Sequence, residues 1–154
     1  MKKMNITSIG QLWLRLAVSS AFLSAVADRL GFWGKPGSPD ATWGDWEQFL
    51  HYSNQVNSFA PEFLREFLAR AATALELVLA LLLLVGYRIK WAAYGSAVLL
   101  ALFAIAMTIS IGIKSTLDYS VWIGAAGCLL LGAVKSHAYS IDNYLTKTKS
   151  SAGQ

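Results

Sequence analysis

Trp91 to Ile113 is a run of 23 residues without one charged side chain. A bilayer's hydrocarbon core takes about 20 apolar residues of helix to cross, whereas a helix on the surface of a soluble domain keeps a polar face. Three further stretches follow the same rule. Met4–Ala27 carries Arg15 alone, Phe67–Tyr87 carries Arg70 and Glu76, and Ser115–Val134 carries only Asp118. The expected fold is all-α, a four-helix transmembrane bundle. Composition agrees: 55% of the 154 residues are apolar and 14% charged, against roughly a quarter charged in soluble domains. The thirteen Lys and Arg are scattered rather than gathered into a stripe, so nucleic acid is not an expected partner. The lone cysteine, Cys128, leaves no internal disulfide, C-x-x-C pair or zinc cluster, and no metal site is expected.

Charge asymmetry orients the spans. Lys2, Lys3, Arg88, Lys90, Lys135, Lys147 and Lys149 fall on one side with a single acid, Asp142. Arg29, Lys35, Arg65 and Lys114 fall on the other with Asp28, Asp40, Asp45, Glu47, Glu62, Glu66 and Asp118. The positive-inside rule then puts both termini in the cytoplasm of a multi-pass protein. Ala25-Val26-Ala27 imitates a signal-peptidase site, but Arg15 and three serines interrupt the apolar stretch before it, so the first span is read as retained. The expected layout is one transmembrane unit over 1–135, with an outer segment at 28–66, and a polar cytoplasmic tail at 136–154 that forms a frayed helix and then disorder.

The outer segment is too long for a passive turn. Glycines and prolines make 31–40 a loop, whereas Trp46, Phe49, Leu50, Ser53 and Val56 recur at helical spacing between 45 and 59. Trp43 and Trp46 suit the headgroup layer, and Trp43, Trp46, Phe49 and Leu50 mark a short interfacial helix that either anchors the bundle or lids a cavity. Within the spans, Ala17, Ala21 and Ala25, and again Gly124, Cys128 and Gly132, form small-residue rows of the kind helices pack through.

Arg15 and Glu76 are the ionisable residues nearest mid-membrane, where an unpaired charge costs roughly 3 kcal/mol. Counted at about 1.5 Å per residue from the same face, their Cα atoms lie at similar depth, which predicts an Arg15–Glu76 contact. Such a contact either fixes helix order or belongs to a ligand site. Arg70 is expected to pair with Glu66 or Asp28 at the outer surface. No nucleotide, hydrolase or zinc-protease motif is present, and His51 and His137 fall on opposite sides.

Trp13-Leu14-Arg15-Leu16-Ala17, Asp28-Arg29-Leu30-Gly31, Glu76, and Leu81 through Arg88 with Trp91-Ala92-Ala93 resemble the DoxX family of small bacterial membrane proteins. A lysine frequent near the end of that family's first helix is replaced here by Asp28-Arg29. The resemblance implies a four-helix protein of the bacterial cytoplasmic membrane. It also implies a subunit or accessory of a quinone-linked redox or oxidative-stress system, with a redox protein as partner and Arg15 and Glu76 near a quinone headgroup. No cofactor is expected within the chain itself. A non-catalytic scaffold that docks a partner protein and a small-solute carrier are the alternatives, and the residues do not decide whether the chain is an enzyme.

Overall fold

The computed structural model describes residues 6–135 and 137–151. Three long apolar helices carry the fold: α1 (Ile6–Arg29), α3 (Glu62–Val85) and α4 (Ile89–Ile111), with the short α2 (Trp46–Val56) between the first two. Each long helix spans about 35 Å, sufficient for a bilayer by length and composition. Large apolar side chains, among them Trp13, Leu75, Val98, Leu102 and Ile109, point away from the bundle. In water such a surface would be untenable; in lipid it is the expected exterior. Among the described residues there is no strand. Met4 and the lysines at 2 and 3 lie outside the described residues, as do Ser136 and 152–154 of the tail.

The predicted fourth span is where the structure departs from expectation. Instead of one helix over 115–134, the chain forms α5 (Ile113–Asp118) and α6 (Val121–Ala133). Gly112 takes φ +93 and ends α4, and Ser120 takes a left-handed φ of 55 between the two short helices. The polar residues Ser115, Asp118 and Ser120 allow this break, since they can meet water or headgroups where an apolar run could not. At 13 residues α6 rises about 20 Å, short of the ~30 Å core. The bundle therefore has three long members and one short one.

Packing follows the small residues, but only on one side. Cys128 is fully buried, while Gly124 and Gly132 let Leu100 and Tyr94 of α4 approach closely. By contrast Ala17 and Ala21 of the α1 row are exposed and Ala25 is only half-buried. The core joins Val18 and Phe22 of α1, Leu79, Ala80 and Leu83 of α3, Ala92, Ala93 and Ala97 of α4, and Leu131 of α6.

The helix ends explain the turns. Gly86 closes α3 in the left-handed region at φ 76, its N–H and that of Tyr87 both donating to the Leu82 carbonyl. The next helix begins three residues later, at Ile89, without a side-chain cap of its own. Asp142 supplies one from the tail, its carboxylate accepting from Arg88 N–H and Ile89 N–H at 2.8 Å each. The helix expected in the tail is Ile141–Ser151, α7, and it is fastened at its first turn.

Candidate functional site

The expected Arg15–Glu76 contact is absent, and the reason is directional. A helical side chain leans toward the N-terminus of its own helix. In antiparallel α1 and α3 these directions are opposite, so two long side chains with Cα atoms at one depth diverge. Arg15 leans back along α1 and reaches the end of α3, where Nε donates to Leu83 O at 2.9 Å and Nη2 to Leu84 O at 3.4 Å. Nη1 donates to Tyr139 O at 3.0 Å and Ala138 O at 3.3 Å. The guanidinium thus satisfies orphan carbonyls at a helix C-terminus, where the macrodipole favours a cation.

Glu76 leans the other way and meets Arg29, which leans back from the last turn of α1. Nη1 of Arg29 pairs with Oε2 of Glu76, and Nη2 donates to Oε1 at 3.2 Å. Nη1 also donates to Thr73 Oγ1 at 2.7 Å, and that hydroxyl in turn donates to Ala69 O. Relative exposure is 4% for Arg29 and 3% for Glu76, so this is a fully desolvated, bidentate pair. Arg29 is the residue that sequence reasoning missed. Its signal was present: Gln11, Arg15, Val18, Phe22, Val26 and Arg29 form one buried stripe at spacings of three or four.

The outer segment closes over this pair. Asp45 caps α2 by accepting from Gln48 N–H at 2.8 Å, and the buried face of α2 holds Phe49, Ser53 and Val56 as predicted. The Arg29 guanidinium lies 3.8 Å from the Phe49 ring centroid and 5.3 Å from that of Trp43. Trp43 meets Phe49 edge-on at 5.1 Å, and Trp46 stacks obliquely on it at 5.3 Å. Trp43 belongs to the loop before α2, not to the helix, and Leu50 is half-buried beside this cluster. Ser110 of α4 donates to Val56 O at 2.6 Å, which ties the cap to the bundle.

Of the two partners expected for Arg70, Glu66 is the one it meets, and the buried Asp28 carboxylate accepts from the backbone N–H groups of Thr42, Trp43 and Gly44 at 3.1, 2.9 and 3.3 Å. It thereby sets the path of the loop that delivers Trp43. Arg70 pairs with Glu66 on the exposed face of α3, an i,i+4 pair worth a few tenths of a kcal/mol. Replacing Asp28 with alanine leaves three amides without their acceptor, at about 1–3 kcal/mol for each that stays dry. The expected result is faster proteolytic cleavage between 31 and 45 with the transmembrane helices intact.

At the opposite end His137 sits beside Arg15 and Asp142. Burial holds its imidazole below the ordinary value, Arg15 pushes the same way and Asp142 opposes both. The folded protein thus keeps His137 neutral where the unfolded chain takes up a proton. Stability falls as pH drops through the ordinary imidazole range, and detergent melting curves for His137→Gln should show a weaker dependence there.

A polar and an apolar depression lie on the surface of the described residues. A polar cleft of about 360 Å³ lies between α1 and the outer loop, lined by Ala21, Ser24, Asp28, Trp33, Thr42 and Trp43. An apolar groove of about 420 Å³ lies between α3 and α4, lined by Leu75, Leu79, Trp91, Tyr94 and Gly95. Neither is lined by Arg15, Arg29 or Glu76. A quinone headgroup at Glu76 would have to displace Arg29 from the carboxylate, and one at Arg15 would have to displace backbone carbonyls. Arg15 and Glu76 are thus both engaged within the chain itself.

An all-helical bundle with three membrane-length helices, an aromatic cap and a buried ion pair defines a small multi-pass membrane protein. The sequence pattern of the family described as methylamine utilisation protein MauE matches residues 7–118, more than two thirds of the chain. The chain belongs to the MauE family. This replaces the DoxX resemblance, of which the coarse part stands: a small multi-pass membrane protein. No curated protein and no solved structure matches the chain. The matched region takes in both arginines, Glu76, the cap and α5, and ends before α6.

Proposed function

We propose that this chain is a membrane-embedded accessory protein of a redox system for methylamine utilisation, acting as a scaffold rather than as a redox centre. The observation that carries the reading is the Arg29–Glu76 pair: both carboxylate oxygens are engaged and Phe49 and Trp43 cover the guanidinium. Buried pairs of this kind specify how elements assemble, at some cost in stability. Here the elements specified are α1, α3 and the outer cap. The cap is then a rigid surface at the acid-bearing end of the bundle, suited to a redox partner protein outside the membrane. The lysine-bearing end faces the cytoplasm of a bacterial cell, as the positive-inside rule requires. Cysteine labelling from the two sides should find Lys90→Cys accessible from the cytoplasm and Gln48→Cys only from the opposite face.

A quinone-linked site remains the second reading, because membrane-depth ionisable residues so often serve function. Complementation separates the two. In a strain whose own copy of this gene is deleted, the pair Arg29→Met with Glu76→Gln should restore methylamine-dependent growth if the site is structural. Loss of growth with normal amounts of folded protein in the membrane would favour chemistry at Glu76. If deletion itself leaves growth on methylamine unchanged, the assignment to that system fails.

A further inference from the structure

α7 presents an apolar face that no described residue covers. Ile141, Tyr144 and Leu145 fall at i, i+3 and i+4 and are all exposed, Tyr144 by 71%. The start of this helix is held firmly. Asp142 N–H donates to Gly86 O at 3.1 Å while its carboxylate caps α4, and Arg15 binds the carbonyls of Ala138 and Tyr139 just before it. The helix therefore leaves the bundle level with the α3–α4 turn, where the long helices end. Around that point the charges are mostly positive: Arg88, Lys90 and Lys135 are exposed, and the sequence of α7 adds Lys147 and Lys149. Asp142, the one acid in this region, is occupied with backbone amides.

We infer that α7 is a membrane-surface helix, with Ile141, Tyr144 and Leu145 set into the leaflet at the lysine-rich end of the bundle and anionic lipid headgroups as the partner of the surrounding cations. A short helix with an apolar face and a basic polar face lies in the interface plane, held by buried apolar area together with attraction to anionic lipid. The bundle contributes the remaining requirement by fixing the start of the helix at the membrane surface. The occupant is thus the lipid surface rather than a soluble partner, whose approach would need this face to stand away from the bilayer.

The test uses the full chain in lipid nanodiscs with Cys128→Ser and an environment-sensitive fluorophore on Tyr144→Cys, with Asn143→Cys as the control. Phosphatidylcholine alone is compared with phosphatidylcholine containing phosphatidylglycerol. The label at 144 should be blue-shifted, protected from iodide and quenched by spin-labelled lipid, and the label at 143 should remain in water. Each lysine near an anionic surface contributes about fivefold to such an equilibrium, so Lys147→Gln and Lys149→Gln should each reverse part of the gain from phosphatidylglycerol. Equal iodide quenching at 144 and 143 in both lipids would overturn the proposal. So would protection at 144 without quenching by lipid spin labels, which would place a second copy of the chain on this face.

Discussion

Glu76→Ala should destabilise the protein by about 3–5 kcal/mol, because it leaves Arg29 charged, buried and without its carboxylate. Thr73 and the rings of Phe49 and Trp43 stay in place, but a hydroxyl and two aromatic faces do not neutralise a desolvated guanidinium. The chain can respond only by admitting water or by releasing the cap so that Arg29 reaches the headgroup layer. Thermal melting in detergent should fall sharply, and Trp43 should move to a wetter environment as the cap loosens. The pair Arg29→Met with Glu76→Gln should lose much less than Glu76→Ala alone, since no charge is stranded. If the double variant is as unstable as the single one, the ion pair is not what the single change disrupts.

Gly86→Ala should be the most damaging change available at the other end. The residue sits at φ +76, where an L side chain costs about 1–2 kcal/mol. The added Cβ would also lie 2.4 Å from Arg15 Nη2, 2.9 Å from Ser140 Cβ and 3.0 Å from Ser140 Cα. Arg15 is long, but its tip is held by four carbonyls, and Ser140 is backbone of the segment that Asp142 fastens. Relief of the clash therefore means undocking the tail. The expected outcome is a lower melting temperature together with rapid proteolysis within 137–151, and wild-type resistance there would contradict the contact between turn and tail.

Much of this architecture was legible in residues that answer to one rule at a time. Long runs with at most two charges reveal α1, α3 and α4, because lipid punishes every unsatisfied charge in the same way. The period of Phe49, Ser53 and Val56 reveals the buried face of α2. Residues whose partners come from distant segments were harder to read. Asp142 looks like an isolated acid in a basic tail, and only the fold brings it to the uncapped amides of Arg88 and Ile89. Asp28 looks like a surface acid near Arg70, yet three loop amides claim it first. Ser115–Val134 reads as a span by composition, but hydropathy averages over the turn that Ser120 introduces.

The site itself shows why depth alone misleads. Arg15 and Glu76 share a level by residue count, but an arginine ends several ångströms from its Cα, in a direction fixed by its helix. Taking that direction into account exchanges the partners: Arg15 goes to the carbonyls of Leu83, Leu84, Ala138 and Tyr139, and Arg29 goes to Glu76. The exchange also bears on function. A lone Arg15–Glu76 pair in mid-bundle would leave the outer cap independent of it, whereas Arg29 links the cap, α1 and α3 through one group.

Two double-mutant cycles measured side by side test that arrangement most directly, one pairing Arg29→Met with Glu76→Gln and the other pairing Arg15→Met with Glu76→Gln. Groups in contact couple by about 0.5–3 kcal/mol, while groups without shared partners add to within about 0.5 kcal/mol. The structure predicts a coupling near the upper end of that range for Arg29 with Glu76 and additivity for Arg15 with Glu76. Strong coupling of Arg15 to Glu76, with Arg29 additive, would contradict it.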